Sequence, residues 1–144
     1  MSYWVVDANL AVNTALNLSE SLERFWERLN QDQITPCAPR LWMSETTSAV
    51  RAYLAQKHIN AEEAEQALVT IHALRVEIID EDKALCLRAL ELAGMLGQSK
   101  AYDAFYLAVA EQMQAEFWTA DERLSNRCRG GLGLGWVHWI NESN

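Results

Sequence analysis

The chain is expected to fold as an α/β protein, a mainly parallel sheet with helices on both faces. Three observations carry that expectation. Short β-prone runs alternate with helix-length amphipathic segments from one end to the other. No proline- or glycine-rich linker, repeat or shift in composition divides the 144 residues, so residues 1–144 read as one domain. Half of the residues are hydrophobic, enough for one substantial core.

The elements follow in order. Trp4-Val5-Val6 is a short strand that stops at Asp7, and a helix runs from Ala8 to Leu16. Ser19 is placed to cap the next helix, where Leu22, Phe25, Trp26 and Leu29 recur at helical spacing. Gln33 to Pro36 reads as a strand entering a proline-flanked loop. Leu41 to Gln56 is helical, with a stripe through Trp42, Ala49, Val50, Tyr53 and Leu54. Asn60 and Glu63 form a capping box for a helix that presents Ala64, Ala67, Leu68, Ile71 and Leu74. Val76 to Ile79 is a strand, and Asp80 is placed to cap a helix from Glu81 to about Gly94. Ser99 is placed to cap another, ending at Met113. Glu116 to Thr119 is a strand ending at Ala120-Asp121. A brief helix, a glycine loop over 130–135 and a last strand from Trp136 to Ile140 complete the chain.

Charge narrows the function. With 20 acidic against 12 basic residues, the net charge of −8 excludes a protein that coats nucleic acid with a broad basic face. Cys37, Cys86 and Cys128 are odd in number and far apart, which argues for reduced thiols and against a disulfide framework or zinc site. The N-terminus has no basic lead or long apolar stretch, so no signal peptide is expected. The longest apolar run, Ala104 to Ala110, is far short of the ~20 residues of a membrane span. A soluble, cytoplasmic protein is the expectation.

Four acids stand where surface groups do not belong. In open α/β sheets, sites form at the carboxyl ends of strands, and Asp7 and Asp121 stand at two such ends. Glu45 lies in the apolar stripe of its helix, and Asp103 opens the run Ala104 to Ala110, a helix apolar all round. An isolated buried carboxylate is costly, whereas several can share Mg²⁺ or Mn²⁺, hard cations that prefer oxygen ligands. Each acid also has a purely structural reading. Asp7 and Asp121 can cap the helices that follow them, Asp103 can sit at the positive end of a helix dipole, and Glu45 can pair with Arg40 or Arg51.

Val5-Val6-Asp7-Ala8-Asn9, Glu45 on its helix, the segment Tyr102 to Glu111 (YDAFYLAVAE) and the segment Thr119 to Leu124 (TADERL) together resemble the PIN domain. The nearest pattern is that of the VapC-like toxins of bacterial toxin–antitoxin pairs. The resemblance spans essentially the whole chain. It implies a three-layer α/β/α fold and a metal-dependent ribonuclease whose Mg²⁺ or Mn²⁺ ligands and catalytic acids are Asp7, Glu45, Asp103 and Asp121. It also implies an RNA substrate, a homodimer and a cognate antitoxin. Many relatives carry Ser or Thr where this chain has Asn9, and Asn where it has Ser48; both positions are expected to orient a ligand, water or substrate.

The expected chemistry is hydrolysis of an RNA phosphodiester. Asp7 is the central ligand, with Asp103 and Asp121 beside it, and Glu45 ligates through water or orients the nucleophile. Lys100 and Arg123 are candidate phosphate contacts, Arg123 with Arg127 at i, i+4; a solvated helix face is the alternative. His58, His72 and His138 have no ligand-like spacing and read as structural or surface residues. Most of the six tryptophans are expected in the core. Haloacid-dehalogenase-like phosphatases also place an Asp after the first strand, but they need a second Asp two residues on, where this chain has Asn9. The non-enzymatic alternative is an inactive interaction or metal-binding module.

Overall fold

A computed structural model describes residues 2–142, so the first residue and the last two of the expected 1–144 unit lie outside it. Five parallel strands form one sheet in the order β3-β2-β1-β4-β5: β1 (Ser2–Val6), β2 (Ile34–Pro39), β3 (Glu77–Ile79), β4 (Glu116–Thr119) and β5 (Val137–Trp139). Parallel neighbours cannot be joined by tight hairpins, so helical crossovers connect them and flank the sheet. These helices are α1 (Ala8–Ala15), α2 (Ser21–Gln31), α3 (Leu41–Ala55), α4 (Ala61–Ala73), α5 (Lys83–Leu96), α6 (Tyr102–Met113) and α7 (Glu122–Asn126). The architecture is the expected α/β fold with a parallel central sheet.

The two faces of the sheet read directly from strand alternation. Val5, Cys37, Phe117 and Val137 face the larger core, which α3 to α6 close with Trp42, Ile71, Leu92, Leu107 and Val109. Trp4, Val6 and Trp118 face the other way and meet Leu22, Phe25 and Leu29, the predicted stripe of α2. The Trp4 and Trp118 rings lie 4.9 Å apart, and Phe25 packs edge-on against Trp118 at 5.5 Å. Three tryptophans, Trp4, Trp42 and Trp118, are buried and Trp26, Trp136 and Trp139 half-buried. No helix among the described residues is long and apolar enough to cross a membrane.

Several boundaries differ from expectation, each for a local reason. Ser19 caps nothing: α2 begins at Ser21 with Glu20 at its N-cap and no side-chain bond there. The cap of α5 is Asp82, whose carboxylate accepts from the Leu85 N–H at 2.8 Å, because the helix begins at Lys83, three residues beyond Asp80, which pairs with Arg40. That helix runs on to Leu96 and stops at Gly97, whose φ of 68° closes a left-handed C-cap that glycine adopts without steric cost. Ser99 does not cap α6; Ala101 occupies the N-cap without a side-chain bond. Strand β2 continues through both prolines to Pro39, and its ladder to β3 begins only at Cys37, so at Pro36 the strand pairs with β1 alone. The first glycines belong to a π-helical turn over Arg127–Gly131, not to an open loop. Cys86 is exposed, while Cys37 and Cys128 are free and buried.

The capping box formed as read: Asn60 accepts from the Glu63 N–H at 2.8 Å, and Glu63 from the Asn60 N–H at 3.0 Å. The two aspartates before α5 make a contrasting pair. Asp82→Ala is expected to cost about 1 kcal/mol in urea denaturation, the worth of an N-cap. Asp80→Ala should cost under ~0.5 kcal/mol, because its ion pair with Arg40 is exposed. Equal losses in the two variants would refute the assignment of the cap.

Candidate active site

The order β3-β2-β1-β4-β5 places the topological switch between β1 and β4, the crevice where open α/β sheets bind ligands. Asp7 follows β1 and Asp121 follows β4 by two residues, so the sheet delivers one carboxylate to each lip. Glu45 comes from the second turn of α3 and Asp103 from the first turn of α6. All four acids line one cavity of about 270 Å³, together with Asn9 and Ser48. Lys100 lies in an adjoining cavity of about 510 Å³ that shares Glu45 and Asp103 with the first, whereas Arg123 lines neither.

The structural readings of the acids resolve unevenly. Asp7 and Asp121 are indeed N-caps: Asp7 Oδ1 accepts from the Leu10 N–H at 2.8 Å, and Asp121 Oδ1 from the Leu124 N–H at 3.2 Å. Glu45 has no arginine partner among the described residues. It accepts a hydrogen bond of 2.7 Å from the Tyr106 hydroxyl, and Arg40 is engaged by Asp80. Asp103 Oδ2 accepts from the side-chain amide of Gln98 at 2.9 Å. Capping and cavity lining are compatible, since each carboxylate has two oxygens and a cap uses one.

Asp7 is the buried member of the set, 6% exposed. Burial pushes its carboxyl up to about 7, the negative charge of Asp121 adds to the rise, and bonds from Thr119, Leu10 and Ala120 oppose it. Glu45 is likewise raised, by burial first and by Asp103, against the Tyr106 bond. The Tyr106 phenol is held far above its ordinary range by burial and by the charge of Glu45. Positive charge is missing from this environment: no lysine, arginine or histidine lines the acid cavity among the described residues.

Three supporting residues escaped the sequence reading. Thr119 donates its hydroxyl to Asp7 Oδ2 and accepts from the Asp121 N–H at 2.9 Å, tying the two lips of the crevice together. Tyr106 fixes Glu45, and its position one turn after Asp103 on α6 was a usable signal. Gln98, just before α6, was not signalled by spacing or type. The histidines stay out of the site: both ring nitrogens of His138 meet carboxylates, Glu116 at 2.9 Å and Glu142 at 2.8 Å.

The donor set suits a hard divalent cation: carboxylate oxygens, no nitrogen or sulfur, and unbalanced negative charge with a carboxyl driven toward its neutral form. As they stand, each of the four is turned onto an internal donor. Among the described residues no three His, Cys, Asp or Glu side chains form a ready ligand group.

Tyr106→Phe isolates one of these contacts. Without the hydroxyl, the Glu45 carboxyl rises further, so the acidic limb of any pH–rate profile moves to higher pH. Activity on that limb should fall about tenfold, the effect of one hydrogen bond to a charged group. A profile superposing on that of the native chain would show that the bond is idle.

A parallel α/β sheet with four carboxylates lining the cavity at its switch point defines a structural class. Within it, the chain belongs to the PIN domain family, whose model matches residues 4–130. PIN domains are nucleases, generally dependent on divalent metal. No curated protein matches the chain significantly. Solved structures share its fold at low identity. VapBC2 from Rickettsia felis, bound to a DNA fragment from the promoter, is similar at 16% identity and a TM-score of 0.64, over 95% of this chain and 96% of that one. A toxin–antitoxin complex from Klebsiella pneumoniae matches at 16% identity and 0.62, over 96% and 98%. VapBC-1 from nontypeable Haemophilus influenzae matches at 16% and 0.62, over 95% and 96%.

Proposed function

We propose that the chain is a divalent-metal-dependent endoribonuclease, one nuclease domain over residues 1–144, and the toxin of a toxin–antitoxin pair. The observation that carries this reading is the convergence of Asp7, Glu45, Asp103 and Asp121, from four separate elements, on one cavity without a cation of the protein's own. Asp7, Asp103 and Asp121 would hold Mg²⁺ or Mn²⁺, with Glu45 reaching it through water. A bound ion of this kind supplies positive charge against the phosphate and acidifies water at neutral pH.

The chain's own groups do the rest. Asp7 is held by Leu10 and Thr119, so its carboxylate is positioned before any ligand arrives. The Glu45 carboxyl, raised by burial and oriented by Tyr106, is suited to receive a proton from the attacking water. Asn9 and Ser48 offer neutral donors to the substrate at the cavity wall, and Lys100 stands beside it to meet phosphate. Arg123, exposed on α7, is assigned to longer-range steering. A cognate antitoxin joins the proposal by likeness to toxin–antitoxin complexes of the same fold; a homodimer and a cytoplasmic location are carried over from the sequence resemblance.

The alternative, an inactive interaction or metal-binding module, is favoured by one observation: each carboxylate is already engaged by a neutral donor of the fold. Incubation of single-stranded RNA with the native chain separates the two readings. Cleavage with Mg²⁺ or Mn²⁺ that stops in EDTA is expected. RNA left intact with either ion present would exclude the ribonuclease.

A further inference from the structure

The acid cavity opens against a second one, of about 510 Å³, within the ~300–1,000 Å³ of ligand sites. Glu45 and Asp103 form the wall common to both, so whatever lies across the carboxylates continues into this space. Unlike its neighbour, it sets cations beside those two acids. Lys100 and Arg127 line it, both exposed, and neither makes an ion pair with a described residue. Tyr102, on the same lining, is 58% exposed, an unusual position for a large aromatic ring, and it stacks on no other ring among the described residues.

Two unpaired cations and an open phenol beside an acid site match one ligand chemistry, a strand that repeats phosphate and aromatic base. The phosphate next to the cleaved one needs cations, and every base has a face on which an aromatic ring can stack. We infer that this second cavity seats the nucleotide adjoining the cleaved bond of a single-stranded RNA. Lys100 and Arg127 hold its phosphate and Tyr102 stacks on its base. A paired base would have to leave its helix to reach Tyr102, so the site selects unpaired RNA. Arg123 has no part in it, because it lines neither cavity. The assignment rests on the ribonuclease reading but is separable from it.

The test is fluorescence anisotropy with a short, labelled, unstructured oligoribonucleotide in EDTA, where no cleavage is needed. Lys100→Ala/Arg127→Ala should weaken binding about tenfold. It should also flatten the plot of log affinity against log salt by about 0.7, the share of one phosphate on a single strand. Tyr102→Ala should weaken binding about five- to tenfold with the salt slope unchanged, and Tyr102→Phe should restore it. The three residues are exposed, so circular dichroism should report native folds. Native affinity and slope in both alanine variants, or no affinity of the native chain for the oligomer, overturns the inference. A native chain that binds in this pattern but never cuts RNA would sink the nuclease reading and leave the subsite standing. One that cuts RNA while the alanine variants bind as it does would do the opposite.

Discussion

Asp7→Asn is expected to lose RNA cleavage by about 10³-fold or more, equivalent to ~4 kcal/mol of transition-state stabilisation. At pH 8 without divalent ions, the same variant should be more stable than the native chain. The second effect follows from linkage. The Asp7 carboxyl is raised from 3.8 to about 7 in the fold, chiefly by burial. The folded chain therefore keeps a proton that the unfolded chain releases near pH 4. The stabilisation from that proton is complete below pH 4, falls as pH rises toward 7 and is gone above it. Asn carries no charge and avoids the loss. Its carbonyl oxygen can still accept from the Leu10 N–H, and its amide can donate to the Thr119 hydroxyl, so the cap and the crevice tie survive. A gain of about 2–4 kcal/mol is expected above pH 7, vanishing near pH 4. Mg²⁺ should raise the melting temperature of the native chain and not of the variant, because a ligand stabilises only a fold that binds it. Thermal melts at pH 4 and pH 8, with and without Mg²⁺, make the comparison. A variant less stable than native at pH 8, or one stabilised equally by Mg²⁺, would remove Asp7 from the centre of the site.

The stability cost at Asp7 explains why the four acids stood out in the sequence. A carboxylate after a buried strand, or opening an apolar helix, breaks the hydrophobic pattern, and such breaks mark functional sites. The alternation of elements was legible for a related reason. Trp4-Val5-Val6 and Phe117-Trp118 are continuous apolar runs because both faces of a parallel sheet are covered. The groups that hold the acids were harder to see. Thr119 and Asp7 are 112 residues apart, and Tyr106 and Glu45 are 61 apart. Only the strand order brings them together, and a threonine at a strand end or a tyrosine in a core helix is ordinary in composition. Asp80 failed as the helix cap because the helix starts at Lys83, two residues later than expected and within reach of Asp82. The Asn60–Glu63 box, with two mutually bonded residues inside one turn, was legible, whereas the single-residue caps at Ser19 and Ser99 did not form. The acidic balance of the chain also takes a different meaning. Net charge excluded a basic coat, yet on the proposed reading a strand of RNA would need only a few local cations, such as Lys100 and Arg127 beside the acids.

Phe117→Ala is expected to be the most damaging single change to the fold. The residue is completely buried in β4, in register with Val5 of β1 on one side and Val137 of β5 on the other. Removing its ring loses the transfer free energy of the side chain and leaves a void at the centre of the sheet, about 3–5 kcal/mol together. Against a total of roughly 5–15 kcal/mol, that loss leaves a visible unfolded population at moderate temperature. The ring also stacks on Tyr106, with centroids 5.7 Å apart and planes at 26°, and Tyr106 positions Glu45. The core and the site therefore share this contact. Phe117→Leu fills most of the volume and should cost under ~1.5 kcal/mol. Its effect on cleavage then reports the stacking alone. A fall of several-fold, with the acidic limb of the pH–rate profile moved upward as in Tyr106→Phe, is the result expected if the ring's packing sets the hydroxyl's aim. Urea denaturation should give a lower midpoint at unchanged slope for both variants. A loss below ~1 kcal/mol in Phe117→Ala would mean that the sheet closes over the void. Full activity in Phe117→Leu would mean that Glu45 alone holds the Tyr106 ring in place.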